Sequence, residues 1–195
     1  MNNYPEYAEV DGKKYKINTD FRVAIECNRI AEDNDIGEYE RSLAIIYTLF
    51  GDEGLDDSGN HVDLLEIAKK YLTCGKGLDG SNNEKPDMDF VEDMDYIEAS
   101  FMSDYHIDLS NVEMHWWKFF NLMSGLSNSE MGNCCVLNRI RNLRTFDVKD
   151  IKDKKERDKI IKAQKEVALK KYRKEDNLTK EQEESMAELN KIIGI

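Results

Sequence analysis

The chain has 195 residues, 40 % of them hydrophobic and 35 % charged, with a net charge of −12: enough apolar content for one core, and more charge than the roughly 25 % of average proteins. No apolar run approaches the ~20 residues that span a bilayer, Met1 to Glu6 carries no leader pattern, and an acidic balance repels nucleic-acid phosphates. A soluble, intracellular protein that binds other proteins is the expectation.

Taken in chain order, residues 7–17 place Asp11-Gly12 between two short β-prone runs, the signature of a hairpin whose tight turn needs positive φ. Thr19 or Asp20 can cap a first helix, whose face is Phe21, Ala24, Ile25 and Asn28. A second helix is predicted over Tyr39–Phe50, with Leu43, Ile46, Tyr47 and Phe50 on one side. Gly51 to His61 reads as a loop. A third helix runs over Val62–Leu72 through Leu65, Ala68 and Leu72. Gly75 to Asp87 is again a loop. Asp89 can cap a helix whose face Phe90, Met94, Ile97, Phe101 keeps the 3.6 period. Ser110 and Glu113 have capping-box spacing before a helix rich in Trp and Phe, which Gly125 ends. Ser127 and Glu130 repeat that spacing before a helix through Met131, Cys134, Cys135, Leu137 and Ile140.

From Asp150 to Lys174 charge dominates, with sparse apolar residues. Thr179 and Gln182 precede a last predicted helix with Met186, Leu189, Ile192 and Ile193. Residues 1–135 carry 11 basic against 28 acidic residues, a net of −17, and residues 136–195 carry 17 against 12, a net of +5. The expected fold is therefore mainly α: an acidic helical domain over 1–145 with a small N-terminal β-hairpin, followed by a charged helical extension over 146–195.

Motifs for catalysis or cofactors do not assemble. Gly75-Lys76-Gly77 lacks the preceding glycine and the following Ser or Thr of a phosphate loop. Asp52 to Asp57 has glycine where an EF-hand needs a ligand, and aspartate where it needs glycine. Cys27, Cys74, Cys134 and Cys135 lack paired metal-ligand spacing and read as reduced core thiols. Of His61, His106 and His115, none sits in a zinc-protease motif, although a His with Cys or Ser partners meeting in space stays open. No cofactor or metal is expected.

Trp116-Trp117 is the strongest local feature. Val112, Trp116, Phe119, Phe120 and Met123 make one broad face, and Met114 and Trp117 widen it. A helix apolar around most of its circumference suits a core, which predicts buried Trp116 and Phe120; the rival reading is an aromatic hot spot for a partner. In the extension, Ile160, Ile161, Ala168 and Tyr172 form a thin stripe. That stripe is either the docking side of a peripheral helix or the contact of one that pairs with another subunit or a partner. The candidate partner-binding residues are Ile160, Ile161, Ala168, Tyr172 and Trp117.

The blocks Asp95-Tyr96-Ile97-Glu98-Ala99-Ser100-Phe101, Tyr105-His106-Ile107-Asp108-Leu109 and Met114-His115-Trp116-Trp117-Lys118-Phe119, with Tyr15 to Arg22 upstream, resemble the bacteriophage gene product fifteen family of Gram-positive siphophages and prophages. The resemblance runs to about Lys174. It implies a gene between those for the major tail protein and the tape-measure protein, and a tail assembly chaperone acting in the host bacterial cytoplasm. The implied partners are the tape-measure protein and the major tail protein; pairing with a second copy of the chain is a reading of the thin stripe alone. The resemblance offers no catalytic residue. A tail component retained in the virion, and a host-directed enzyme or nucleic-acid-binding factor, are the alternatives.

Overall fold

The structure, a computed structural model, describes residues 4–76, 86–128 and 134–170. Among them are seven α-helices and one two-stranded sheet, a mainly helical fold with an N-terminal hairpin. By internal contacts the chain divides into two compact units, Met1–Asn142 and Leu143–Ile195.

The first unit opens with the hairpin β1 (Tyr7–Val10) and β2 (Lys13–Lys16), paired antiparallel with Ala8 opposite Tyr15 and Val10 opposite Lys13. Asp11 and Gly12 both take positive φ, 49° and 78°, the geometry a two-residue hairpin turn demands. Alternation puts Ala8, Val10 and Tyr15 inward. The Tyr15 hydroxyl reaches Asp57 at 2.7 Å, and Lys13 Nζ reaches the same carboxylate oxygen at 2.8 Å.

Asp20 caps α1 (Phe21–Glu32) by accepting from the Arg22 backbone N–H at 2.9 Å. Phe21, Ala24, Ile25, Cys27 and Ile30 are its buried side. α2 (Glu38–Asp56) extends beyond the predicted Phe50 and breaks at Gly51, with φ 68° and ψ −161°. Residues 52–56 are helical and Ser58–Asn60 form a 3-10 turn, so the expected loop over 51–61 is replaced by helix. At the break the Leu49 carbonyl accepts from Asn18 N–H at 2.8 Å. The buried side of α2 is Ile45, Ile46, Leu49 and Phe50. Tyr47, assigned inward from the sequence, is 52 % exposed: with seven apolar residues between Leu43 and Phe50, the pattern does not single out one face. α3 (His61–Leu72) buries Leu64, Ala68 and Tyr71.

α4 (Met94–Tyr105) starts four residues later than Phe90, because Asp89 caps a turn through Val91 and Glu92 instead. Its Ile97, Ser100 and Phe101 are buried. The predicted capping box at Ser110 and Glu113 is not formed. Asp108 caps a 3-10 turn over Leu109–Asn111, Val112 is extended, and α5 (Trp116–Ser124) begins only at Trp116. The predicted helix start at Ser127 is also corrected. Asn128 bridges Cys134, Cys135 N–H donates to the Ser127 carbonyl, and α6 (Val136–Thr145) begins at Val136. The buried Ser100 hydroxyl accepts from Leu137 N–H at 3.0 Å, satisfying one of the orphan amides at that helix start. A single cluster of buried residues from Ala8 to Leu137 forms the core.

In the second unit, Asp153 caps α7 (Lys154–Val167) through the N–H groups of Lys155 and Glu156. No residue of α7 is fully buried. Its Gln164 amide donates to the Leu143 and Phe146 carbonyls at 2.9 and 2.7 Å, so the side chain closes the end of α6. The predicted helix beyond Thr179 lies outside the described residues.

Candidate functional site

The adjacent tryptophans pack against the end of α3. A helix leaves its last carbonyls without intrahelical partners. Here Trp116 Nε1–H donates to the Leu72 carbonyl and Trp117 Nε1–H to the Tyr71 carbonyl, each at 3.0 Å. Two consecutive indoles thus close consecutive carbonyls of α3. The rings continue inward: Trp116 stacks on Phe119 at 5.7 Å, and Phe119 lies between Phe21 at 4.6 Å and Phe101 at 5.1 Å. Trp116 is 1 % exposed, as expected for a core residue. Phe120 is only partly buried, against the expectation, because the ring lies to the side of this column with Lys76 Nζ 5.1 Å from its centroid.

His115 aims the pair. Its Nδ1 accepts from Trp117 N–H at 3.0 Å, and its Nε2 lies 3.1 Å from the Pro5 carbonyl. With Nδ1 accepting from Trp117, Nε2 is the nitrogen left to donate to the Pro5 carbonyl. Tyr4 stacks on the His115 ring at 4.9 Å. The other histidines also meet backbone carbonyls, His61 that of Leu55 and His106 that of Met102. Burial pushes the Cys27 thiol up to about 12 and the Cys74 thiol to about 11, so both are protonated and poorly nucleophilic at neutral pH. Burial likewise raises Tyr71, whose hydroxyl is buried without a hydrogen-bond partner. Among the described residues, no group of three or more His, Cys, Asp or Glu could hold a metal ion, and no helix is long and apolar enough to cross a membrane.

The residues singled out from the sequence for partner binding lie in both units. Trp117 is half-buried in the first, with Tyr71 and Tyr4 against it. Ile160 and Ile161 are half-buried on α7, pointing about 100° apart. Ala168 follows the helix as its C-cap, and Tyr172 lies outside the described residues.

Two charged surfaces stand apart from these residues. The first is an open cleft of about 1570 Å³ in the first unit, between residues 16–23, 47–53 and 110–115. Its floor includes the buried Leu49, Phe50 and Met114. Exposed on its rim are Asp52, Glu53, Glu113 and Lys16. The Gly51 break brings the first two there, and the late start of α5 brings the third. Arg22 is already engaged, donating to both Asp20 oxygens and to the Leu109 and Val112 carbonyls. The second surface is the outer side of α7, where Lys155, Lys159 and Lys162 are exposed. At 100° per residue they fall within about 60° of one another.

The chain matches the family model described as Bacteriophage Gp15 protein over residues 1–169. Searches of curated proteins and of solved structures find no match. The family match covers most of the sequence, and the chain belongs to the bacteriophage Gp15 family.

Proposed function

We propose that this member of the bacteriophage Gp15 family is a non-catalytic tail assembly chaperone that binds the tape-measure protein in the host cytoplasm. The single observation that carries the reading is the combination of a phage family with an acidic surface that leaves large apolar side chains open. Tyr39, Val62, Val91 and Met102 are 70 %, 76 %, 53 % and 46 % exposed. Carboxylates adjoin the first three in the chain, Glu38 and Glu40, Asp63, and Glu92, and Asp104 lies two residues beyond Met102. Apolar side chains on an amphipathic surface meet the stripes of a long helical partner, and the surrounding charge keeps the complex soluble. The primary proposed contact is the charged extension, through Ile160, Ile161, Ala168 and Tyr172, together with Trp117, and the exposed apolar side chains of the acidic unit are a secondary one. The major tail protein is a second proposed partner.

Co-expression with the tape-measure protein of the same phage tests this. A tag on the tape-measure protein should retain this chain and raise the yield of soluble tape-measure protein. Mass spectrometry of purified virions should then find the tape-measure protein without it. Failure to co-purify overturns the reading, and stoichiometric presence in the virion assigns the protein to the tail structure instead.

A further inference from the structure

We propose that the acidic cleft of the first unit is a docking site for α7 of a second copy of the chain. This inference is independent of the proposed function, since it uses only charges and shapes within this molecule. Asp52, Glu53 and Glu113 stand exposed on the cleft rim, and none of them has an ion-pair partner among the described residues. Against these three carboxylates the rim offers one free ammonium, Lys16. The cleft therefore carries an excess of negative charge over an apolar floor.

α7 supplies the complement. Lys155, Lys159 and Lys162 share one exposed side of the helix with a single carboxylate, Glu166, so three cations face one anion there, and the three lysines lack ion-pair partners among the described residues. The opposite side is occupied within its own unit, where Gln164 binds the Leu143 and Phe146 carbonyls. The lysine side is thus the one turned to solvent. Three opposed pairs set register and partner choice, as charges flanking paired helices do.

The test is sedimentation velocity of the full chain over a range of concentrations and salt. Self-association should appear at low salt and weaken strongly as the Debye length falls from ~10 Å at 0.1 M to ~3 Å at 1 M. The triple variant Asp52→Lys, Glu53→Lys, Glu113→Lys should associate about tenfold more weakly or less, as should Lys155→Glu, Lys159→Glu, Lys162→Glu. All six positions are exposed, so both variants should keep the wild-type circular dichroism spectrum. Mixing the two variants pairs an acidic cleft with a lysine-bearing α7 and should restore association. A monomer at every concentration overturns the proposal. So does association that neither variant weakens, or variants that fail to pair when mixed.

Discussion

Asp57 shows how one carboxylate joins distant parts of the chain. Its Oδ2 accepts from Lys13 Nζ at 2.8 Å and from the Tyr15 hydroxyl at 2.7 Å, and Asn60 Nδ2 also donates to that hydroxyl at 3.0 Å. The Lys13 hydrogen bond, then that of Tyr15, holds the carboxyl below its ordinary range. A group lowered on folding adds stability above its unfolded value, about 3.9 for Asp, and that stability is lost as pH falls through the lower folded value. Thermal melts of wild type and Asp57→Asn should therefore differ at pH 6 and converge as pH drops below about 4. A difference unchanged from pH 6 to pH 2 would refute the charge's role. Trp116 makes a second residue-level case. It is nearly fully buried and donates to Leu72, whereas Trp117 is half-buried. Trp116→Ala should cost about 3–5 kcal/mol, the usual penalty for a buried large aromatic, and Trp117→Ala measurably less. Denaturant unfolding measures both, and equal losses would contradict the burial difference. The Trp pair was legible as a core feature because adjacent aromatics widen an apolar face. Its capping of α3 was not, since the Leu72 carbonyl lies 44 residues away in sequence.

At the scale of elements, the sequence located helices better than it located their ends or faces. α1 starts after the Asp20 cap, as its apolar spacing predicts, and α3 keeps its predicted span to within a residue but buries Leu64 and Tyr71 where the sequence pointed to Leu65 and Leu72. α2 departs from its predicted span, for two reasons tied to particular residues. Gly51 reads as a helix stop, yet its positive φ, open to glycine at no steric cost, only bends the chain while residues 52–56 resume the helix. Carboxylates Asp52 and Glu53 suit the first turn of that resumed segment, a weak signal in a stretch otherwise rich in Gly and Asp. The start of α5 went astray because Ser110 and Glu113 have capping-box spacing while two other groups act. Asp108 takes the Ser110 N–H at 3.0 Å, and His115 takes that of Trp117. Spacing alone does not decide between capping groups that compete for neighbouring amides. The cleft was invisible for the same reason: it exists only because the Gly51 bend and the extended Val112 lie near each other in space, and neither deviation was anticipated.

At the scale of the whole molecule, the uneven charge predicts how the chain tolerates truncation. The buried cluster runs from Ala8 to Leu137, and among the described residues Leu169 is the one buried hydrophobic residue beyond it. The apolar burial that stabilises the first unit is therefore complete before Thr145. A chain ending there has 14 basic and 28 acidic residues, a net of −14, which favours solubility. Among the described residues its losses include the Gln164 amide at the Leu143 carbonyl and the bond from Arg144 to the Val167 carbonyl. Hydrogen bonds of that kind are worth about 1 kcal/mol each, small beside the core. Residues 1–145 should keep a helical circular dichroism spectrum and melt in one cooperative transition. The same truncation removes Ile160, Ile161 and Ala168, so on the proposed function it should abolish co-purification with the tape-measure protein. A non-cooperative melt would mean that the second unit contributes to the core of the first. Retained co-purification by a well-folded truncation would instead move the contact to the acidic unit, where Tyr39, Val62, Val91 and Met102 would become the side chains to substitute next.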